Sequence, residues 1–175
     1  MPEAAGRGLR LGSVIELPQR HAFDLFADYF QFYIEDEAAE VSPEEAGDAW
    51  TEEAGRNLLA PARGSVRIGT ARNTTVPVEL RVEAEEPATE FQGYDHVAEA
   101  SIDVPSGRLV IAGNSDYWPD AARIELAPGS YRVRVLYRGL ATVSEDGLGG
   151  DDSYALVLWP APPAPTGVLK RYERP

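Results

Sequence analysis

The sequence predicts an all-β protein: an antiparallel β-sandwich of about eight or nine strands, with one helix near residues 43–59. Two observations favour this fold. Short runs of alternating apolar and polar residues recur from residue 65 onward, and the 14 prolines and 16 glycines fall mostly between apolar runs. No shift in composition marks a second core. We therefore expect one β-sandwich domain over residues 1–175, with a proline-rich tail from about residue 160.

The N-terminal part predicts two strands separated by a helical turn. Residues 9–17 form an apolar run that ends at Pro18, and residues 29–34 alternate aromatic and other side chains on both faces. Both segments are predicted strands. Residues 19–28 between them are predicted as a short helical turn, and the acidic stretch after residue 34 marks where solvent should begin.

The predicted helix begins at a capping box. Ser42 and Glu45 have the required spacing, and Pro43 occupies the first helical position. Trp50 and Ala54 continue the helical period, so we expect one helix that ends near residue 59.

The remainder of the chain predicts strands joined by tight turns. Residues 105–107 (Pro-Ser-Gly) and 128–129 (Pro-Gly) have the composition of hairpin turns. In the run that follows Gly129, tyrosine and valine lie on one face and Arg132, Arg134 and Arg138 on the other, where they can neutralise acids of neighbouring strands. The predicted strands are residues 65–72, 76–84, 97–104, 108–112, 123–126, 131–140 and, as the last strand, 154–159.

The charge of the chain is strongly negative, at −13, and Lys170 is its one lysine. Eleven carboxylates lie between Arg20 and Arg56 without one lysine or arginine among them. Direct binding to nucleic acid or to anionic membranes requires clustered cations, so neither is expected. The N-terminus has no apolar run typical of a signal peptide and the chain has no cysteine, so we expect a cytoplasmic protein.

The sequence carries no recognisable catalytic motif. There is no Gly-x-Ser-x-Gly turn and no glycine-rich nucleotide loop, and His21 and His96 belong to no ligand or triad pattern. We therefore expect a binding protein without enzymatic activity and without a cofactor. Its partner should be a basic protein, captured by charge complementarity.

Three acidic or aromatic segments are the candidate partner-binding sites. If the acidic segment 35–53 and the loop 144–152 share one side, their negative field favours a cationic partner. Trp118 and its neighbours either anchor a partner or fold back over the open end of the sandwich. The candidate residues are Glu35, Asp36, Glu37, Asp116, Tyr117, Trp118, Glu145, Asp146, Asp151 and Asp152.

The glycine-rich loop 144–152 offers an alternative. Its four carboxylates suit Ca²⁺, which takes six to eight oxygen ligands, although the spacing differs from that of an EF-hand. A Ca²⁺-dependent binding protein or a metal-dependent hydrolase is therefore the second hypothesis. Its site would be assembled from Asp116, Asp120, Asp146, Asp151 and Asp152.

Several segments carry a resemblance to known proteins. Residues 30–37, 116–119, 129–140 and 158–160 resemble a widespread group of uncharacterised bacterial proteins. Residues 50–53 (Trp-Thr-Glu-Glu), 64–70 (Gly-Ser-Val-Arg-Ile-Gly-Thr) and 124–133 distantly resemble the competence protein J family. Members of that family are small acidic proteins that inhibit a DNA-entry nuclease. The resemblance implies an inhibitor or immunity-type partner of a cationic nuclease, and it ends at the segment 140–160.

Overall fold

The computed structural model describes residues 14–88 and 90–174, which form two stacked β-sheets. This architecture confirms the predicted all-β sandwich. Eleven strands lie within the described ranges, more than the eight or nine expected. In spatial order the six-stranded sheet contains β1 (Gln19–Phe26), β5 (Thr75–Val82), β10 (Ser153–Pro160), β9 (Gly129–Arg138), β6 (His96–Val104) and β11 (Gly167–Lys170). The five-stranded sheet contains β3 (Leu59–Ala62), β4 (Ser65–Gly69), β2 (Gln31–Asp36), β7 (Arg108–Gly113) and β8 (Ala122–Glu125).

The main core lies between the two sheets. Phe32 and Ile34 from the five-stranded sheet, and Val133, Val135 and Tyr137 from the six-stranded sheet, are buried there. Their spacing of two residues follows from the pleat of a strand, which sends alternate side chains to opposite faces. Each such side chain contributes roughly 1.5–3 kcal/mol by leaving water.

The two predicted hairpins are wrong, because both turns connect different sheets. The turn at 105–107 leads from β6 in one sheet to β7 in the other, and the predicted turn at 128–129 lies where the chain passes from β8 back to β9. The two corners pack together: the Leu126 amide donates to the Gly107 carbonyl at 2.9 Å. Gly107 has φ +70°, and a Cβ there would lie 2.9 Å from the Leu126 oxygen. Proline and glycine serve a sharp corner as well as a hairpin, so composition alone cannot separate the two.

The helical turn predicted over residues 19–28 is also wrong, because strand β1 occupies most of it. Side chains along β1 alternate between half-buried and exposed up to Leu25, which is the pattern of a strand with one covered face. The strand predicted over residues 9–17 falls largely outside the described residues, and residues 14–17 are not in a strand.

The predicted helix is two short helices, α1 (Pro43–Asp48) and α2 (Glu52–Asn57). The capping box of Ser42 and Glu45 is confirmed at the start of α1. The helix breaks at Trp50, whose Nε1 donates to Gln31 Oε1 at 2.9 Å and so ties this turn to β2. Thr51 then caps a new helix through its hydroxyl. In the ranges described, neither helix has the length or the apolar character to cross a membrane.

Two pairings differ from the expected order of strands. Strand β10 runs antiparallel to β9 but parallel to β5, so the six-stranded sheet contains one parallel pair. The strand at 153–160 is not the last one, because the proline-rich tail returns as β11 and pairs with β6. The tail is held where Arg132 donates to the carbonyls of Ala164 and Pro165.

Candidate functional site

Many of the candidate residues lie on or next to the outer face of the five-stranded sheet. Because Phe32 and Ile34 point into the core, Tyr33 and Glu35 of β2 project to the outside. On the neighbouring strand Arg67 lies opposite Tyr33. The α1 segment and the loop 113–121 lie over this face.

Glu35 and Asp36 are buried, with 6% and 2% of their surfaces exposed. Asp36 accepts hydrogen bonds from the Ala38 amide at 3.2 Å and from the Ser106 amide at 3.1 Å, and it also accepts from the Ser106 hydroxyl. These bonds fasten the end of β2 to the corner at 105–107. Burial raises the pKa of Glu35, and the nearby Arg67 opposes that rise. Strand β2 therefore extends beyond the point where solvent was expected, and both carboxylates are unavailable for direct contact with a partner.

Glu37 is balanced by two arginines. Its carboxylate is 3.0 Å from Arg108 Nη1 and accepts from Arg123 Nε at 3.1 Å. The guanidinium of Arg123 also stacks 5.4 Å from the Trp118 ring centroid. The negative charge of Glu37 is thus largely compensated by these two arginines.

The two aromatic residues of the loop 113–121 differ in whether they pack against the protein or face solvent. Trp118 packs back against the apolar patch formed by Tyr33 and its neighbours on β7. Tyr117 remains 72% exposed. Asp116 shapes the loop, since its Oδ2 accepts from the Gly113 amide at 2.7 Å. Tyr117 is thus the aromatic residue of this loop that is free to anchor a partner.

The loop 144–152 is braced by its own carboxylates. Asp146 accepts from the Ser144 hydroxyl at 2.6 Å and from the Leu148 amide at 3.0 Å, and these bonds lower its pKa. Asp152 is fully buried, where it pairs with Arg72 and accepts from the Tyr154 hydroxyl. Asp151 and Glu145 are exposed. Two of the four acids of this loop therefore have structural roles.

The acidic segments at 35–37 and 144–152 lie at opposite ends of β2. The loop packs beside Phe30, which precedes β2: Gly147 approaches that ring, and its carbonyl oxygen accepts a hydrogen bond from the Asn73 amide at 2.8 Å. Glu37 follows the last residue of the strand. The six residues of β2 separate Phe30 from Glu37 by about 20 Å.

The candidate metal ligands are not brought together. Across residues 14–88 and 90–174, no group of three or more His, Asp or Glu side chains is placed to hold a metal ion. Asp116 and Asp146 are engaged with their own loops, and Asp152 is engaged with Arg72. The structure thus gives no geometric support to a hydrolase or Ca²⁺ site built from these acids.

A denser acidic surface lies on the two helices, which the candidate set did not include. It consists of Glu40, just before α1, and of Glu44, Glu45, Asp48, Glu52 and Glu53 on the helices, which are all exposed. We call it the acidic helical surface. Within the described chain its one ion pair joins Glu52 to Arg56 at 2.6 Å. The signal was present in the sequence, since residues 40–53 contain six acids and no base.

On the outer face of the six-stranded sheet, by contrast, acidic side chains are paired with arginines. Glu99 accepts from Arg134 Nε at 2.7 Å and from Arg132 Nη2 at 3.2 Å, and Arg134 also pairs with Glu86. The guanidinium of Arg138 stacks 4.6 Å from the Tyr94 ring centroid. The predicted neutralisation of acids on a neighbouring strand is therefore confirmed for Arg132 and Arg134.

Comparisons with known proteins identify the fold. No family model and no curated protein matches the chain. Among solved structures, one match is ComJ from Bacillus subtilis, described as an inhibitor of the DNA-degrading activity of NucA. It has a TM-score of 0.59 and 17% identity over 82% of this chain and 96% of ComJ. A second match, named crocagin biosynthetic gene J, has a TM-score of 0.58 and 17% identity over 83% of this chain and 99% of its own. The distant resemblance to the competence protein J family is thus confirmed at the level of the fold.

Proposed function

We propose that this protein is a non-enzymatic acidic binding domain that inhibits a cationic nuclease. The observation that carries the proposal is the acidic helical surface. Of its six exposed carboxylates, one forms an ion pair with an arginine in the described residues. Such a surface attracts a protein whose cations normally bind DNA phosphates. The fold shared with ComJ supports the same role.

In this proposal the inhibitor places carboxylates where the nuclease binds phosphates. The helices present Glu44, Asp48 and Glu53 on a rigid sheet, so little ordering is needed on binding. Tyr117 supplies an exposed aromatic anchor from the loop beside α1. Glu145 and Asp151, also exposed, extend the negative field at the other end of β2.

The test is a charge reversal compared with a matched control. Glu44, Asp48 and Glu53 are changed together to lysine, which moves the net charge from −13 to −7. The control changes three exposed acids elsewhere, Asp24→Lys, Glu85→Lys and Glu125→Lys, and reaches the same net charge.

Binding to cationic DNA-degrading nucleases of the same organism is measured by calorimetry without DNA, and DNA cleavage is measured separately. We expect the wild-type protein and the control to bind and to inhibit. The helical variant should bind at least about tenfold more weakly at low salt. Wild-type binding should also weaken steeply as salt is added. Equal loss in both variants would show that net charge rather than this surface matters, and undiminished cleavage at low salt by every such nuclease would overturn the proposal.

A further inference from the structure

A cleft of about 300 Å³ opens between the outer face of the five-stranded sheet and the α1 segment. Its floor contains Tyr33 and Arg67, and its wall contains Pro43, Ala46 and Trp50. Asn114, from the loop after β7, also lines it. The cleft is thus lined by both apolar and polar groups, among them one guanidinium group.

Arg67 has a distinctive environment for a buried cation. It is 6% exposed, its Nη1 donates to Asn114 Oδ1 at 3.0 Å, and its guanidinium stacks 4.8 Å from the Tyr33 ring centroid. Its Nε is buried without a hydrogen-bond partner in the described part of the chain. It forms no ion pair within 4.0 Å with a carboxylate of those residues, although the charge of Glu35 on the same face acts on it.

The contrast with Arg132 and Arg134 is informative. Those two buried guanidinium groups share Glu99 and donate to several backbone carbonyls. Burying a charged donor without a partner costs free energy, so such a group is normally paired. Arg67 lines an open cleft, and its one side-chain hydrogen bond within the described residues comes from Nη1, so terminal N–H groups of its guanidinium remain for an acceptor in the cleft.

The surroundings restrict the chemistry of that acceptor. A guanidinium matches a planar oxyanion through two parallel hydrogen bonds. Glu35 lies on the same face as Arg67, and Glu44 and Asp48 lie on α1 beside the cleft, so a divalent anion is disfavoured. The aromatic and proline walls suit a flat apolar body.

We propose that this cleft binds a small organic monocarboxylate, with its carboxylate on Arg67 and its apolar body between Tyr33 and Trp50. The site is independent of nuclease inhibition, and no nuclease enters its test. Trp50 Nε1 and the side-chain amide of Asn114 provide reporters within the cleft.

The probe is benzoate, followed by ¹H–¹⁵N NMR spectroscopy into the millimolar range. Benzamide has the same shape without the charge and serves as the matched control ligand. We expect benzoate to shift the Trp50 indole and Asn114 amide signals saturably, whereas benzamide should leave them unchanged. Inorganic sulfate should also fail, because of the acidic surroundings.

Two pairs of variants make the test specific. Arg67→Gln should weaken benzoate at least about tenfold, while Arg20→Gln, the same change at an exposed position, should have no effect. Gly47→Leu places a side chain at the cleft without touching Arg67. Gly55→Leu is the matched change on α2, and a Cβ meets nothing within 4 Å at either glycine.

Loss of benzoate binding in Gly47→Leu and its retention in Gly55→Leu would support the site even if Arg67→Gln fails to fold. Benzoate that leaves the Trp50 and Asn114 signals of the wild-type protein unshifted would overturn the proposal. Equal binding of benzamide, or full affinity in a folded Arg67→Gln protein, would do the same.

Discussion

The substitution Asp152→Asn tests whether the loop 144–152 is a structural element. Asp152 is fully buried and pairs with Arg72, whose side chain is 14% exposed, and it accepts from the Tyr154 hydroxyl. Asparagine keeps the shape and one acceptor oxygen but removes the charge. The guanidinium of Arg72 then loses its compensating carboxylate.

The magnitude follows from this burial. Removing one partner of a buried ion pair costs about 3–5 kcal/mol. Arg72 retains some access to water, so we expect a somewhat smaller loss, about 2–4 kcal/mol. For a protein of this length, that loss lowers the Tm by roughly 4–16 °C.

The assay is urea unfolding followed by tryptophan fluorescence. The neighbouring exposed residue supplies the control, and Asp151→Asn should stay within about 0.5 kcal/mol of the wild-type protein. Adding Arg72→Met to Asp152→Asn should recover part of the loss, because the unpaired cation is then gone. A loss below about 1 kcal/mol in Asp152→Asn, or an equal loss in Asp151→Asn, would refute the structural role.

Two further predictions concern the tail and the start of the loop at residue 113. His96 Nε2 donates to the Asn57 carbonyl at 2.8 Å, and its Nδ1 accepts from the Tyr172 amide at 3.1 Å; burial lowers its pKa, so neutral His96 favours the fold. The contribution of His96 to the free energy of unfolding should be complete above pH 6.5 and should decrease as the pH falls below that value towards the lowered pKa. The His96→Gln variant should therefore lose less stability to urea than the wild-type protein between pH 7.5 and pH 5.5. An equal loss in both proteins would show that the histidine plays no part. Gly113→Ala should destabilise the protein by more than about 1 kcal/mol in the same assay, because a Cβ there would lie 2.2 Å from the Phe26 carbonyl oxygen; wild-type stability in this variant would contradict the close approach.

The fold class was predictable because it depends on local patterns. In β9 the alternation of tyrosine and valine with arginine identified both faces, and the structure places them as expected. The capping box at Ser42 likewise acts through neighbouring residues. Strand partners were not predictable in the same way, because the chain reverses similarly at residues 105–107 whether it stays in one sheet or crosses to the other.

The candidate site was less predictable than the fold. Glu35 and Asp36 looked exposed because acids usually are, yet β2 continues through them and Ser106 returns to satisfy Asp36. Arg67 gave a weak signal as the one charge in a short strand between Val66 and Ile68. Its open cleft depends on α1, Trp50 and Asn114, which come from distant parts of the chain.

The position of the charges matters more than their sum. On the six-stranded sheet the buried pairs of Glu99 with Arg132 and Arg134 are shielded from solvent ions, so added salt should affect them little. The acidic helical surface is exposed and mostly unpaired, so the same salt should screen it strongly. Salt should therefore weaken the proposed partner binding steeply while leaving the unfolding midpoint nearly unchanged. A midpoint that falls together with binding would instead mean that salt acts on the fold, and the acidic helical surface would then lose its role in recognition.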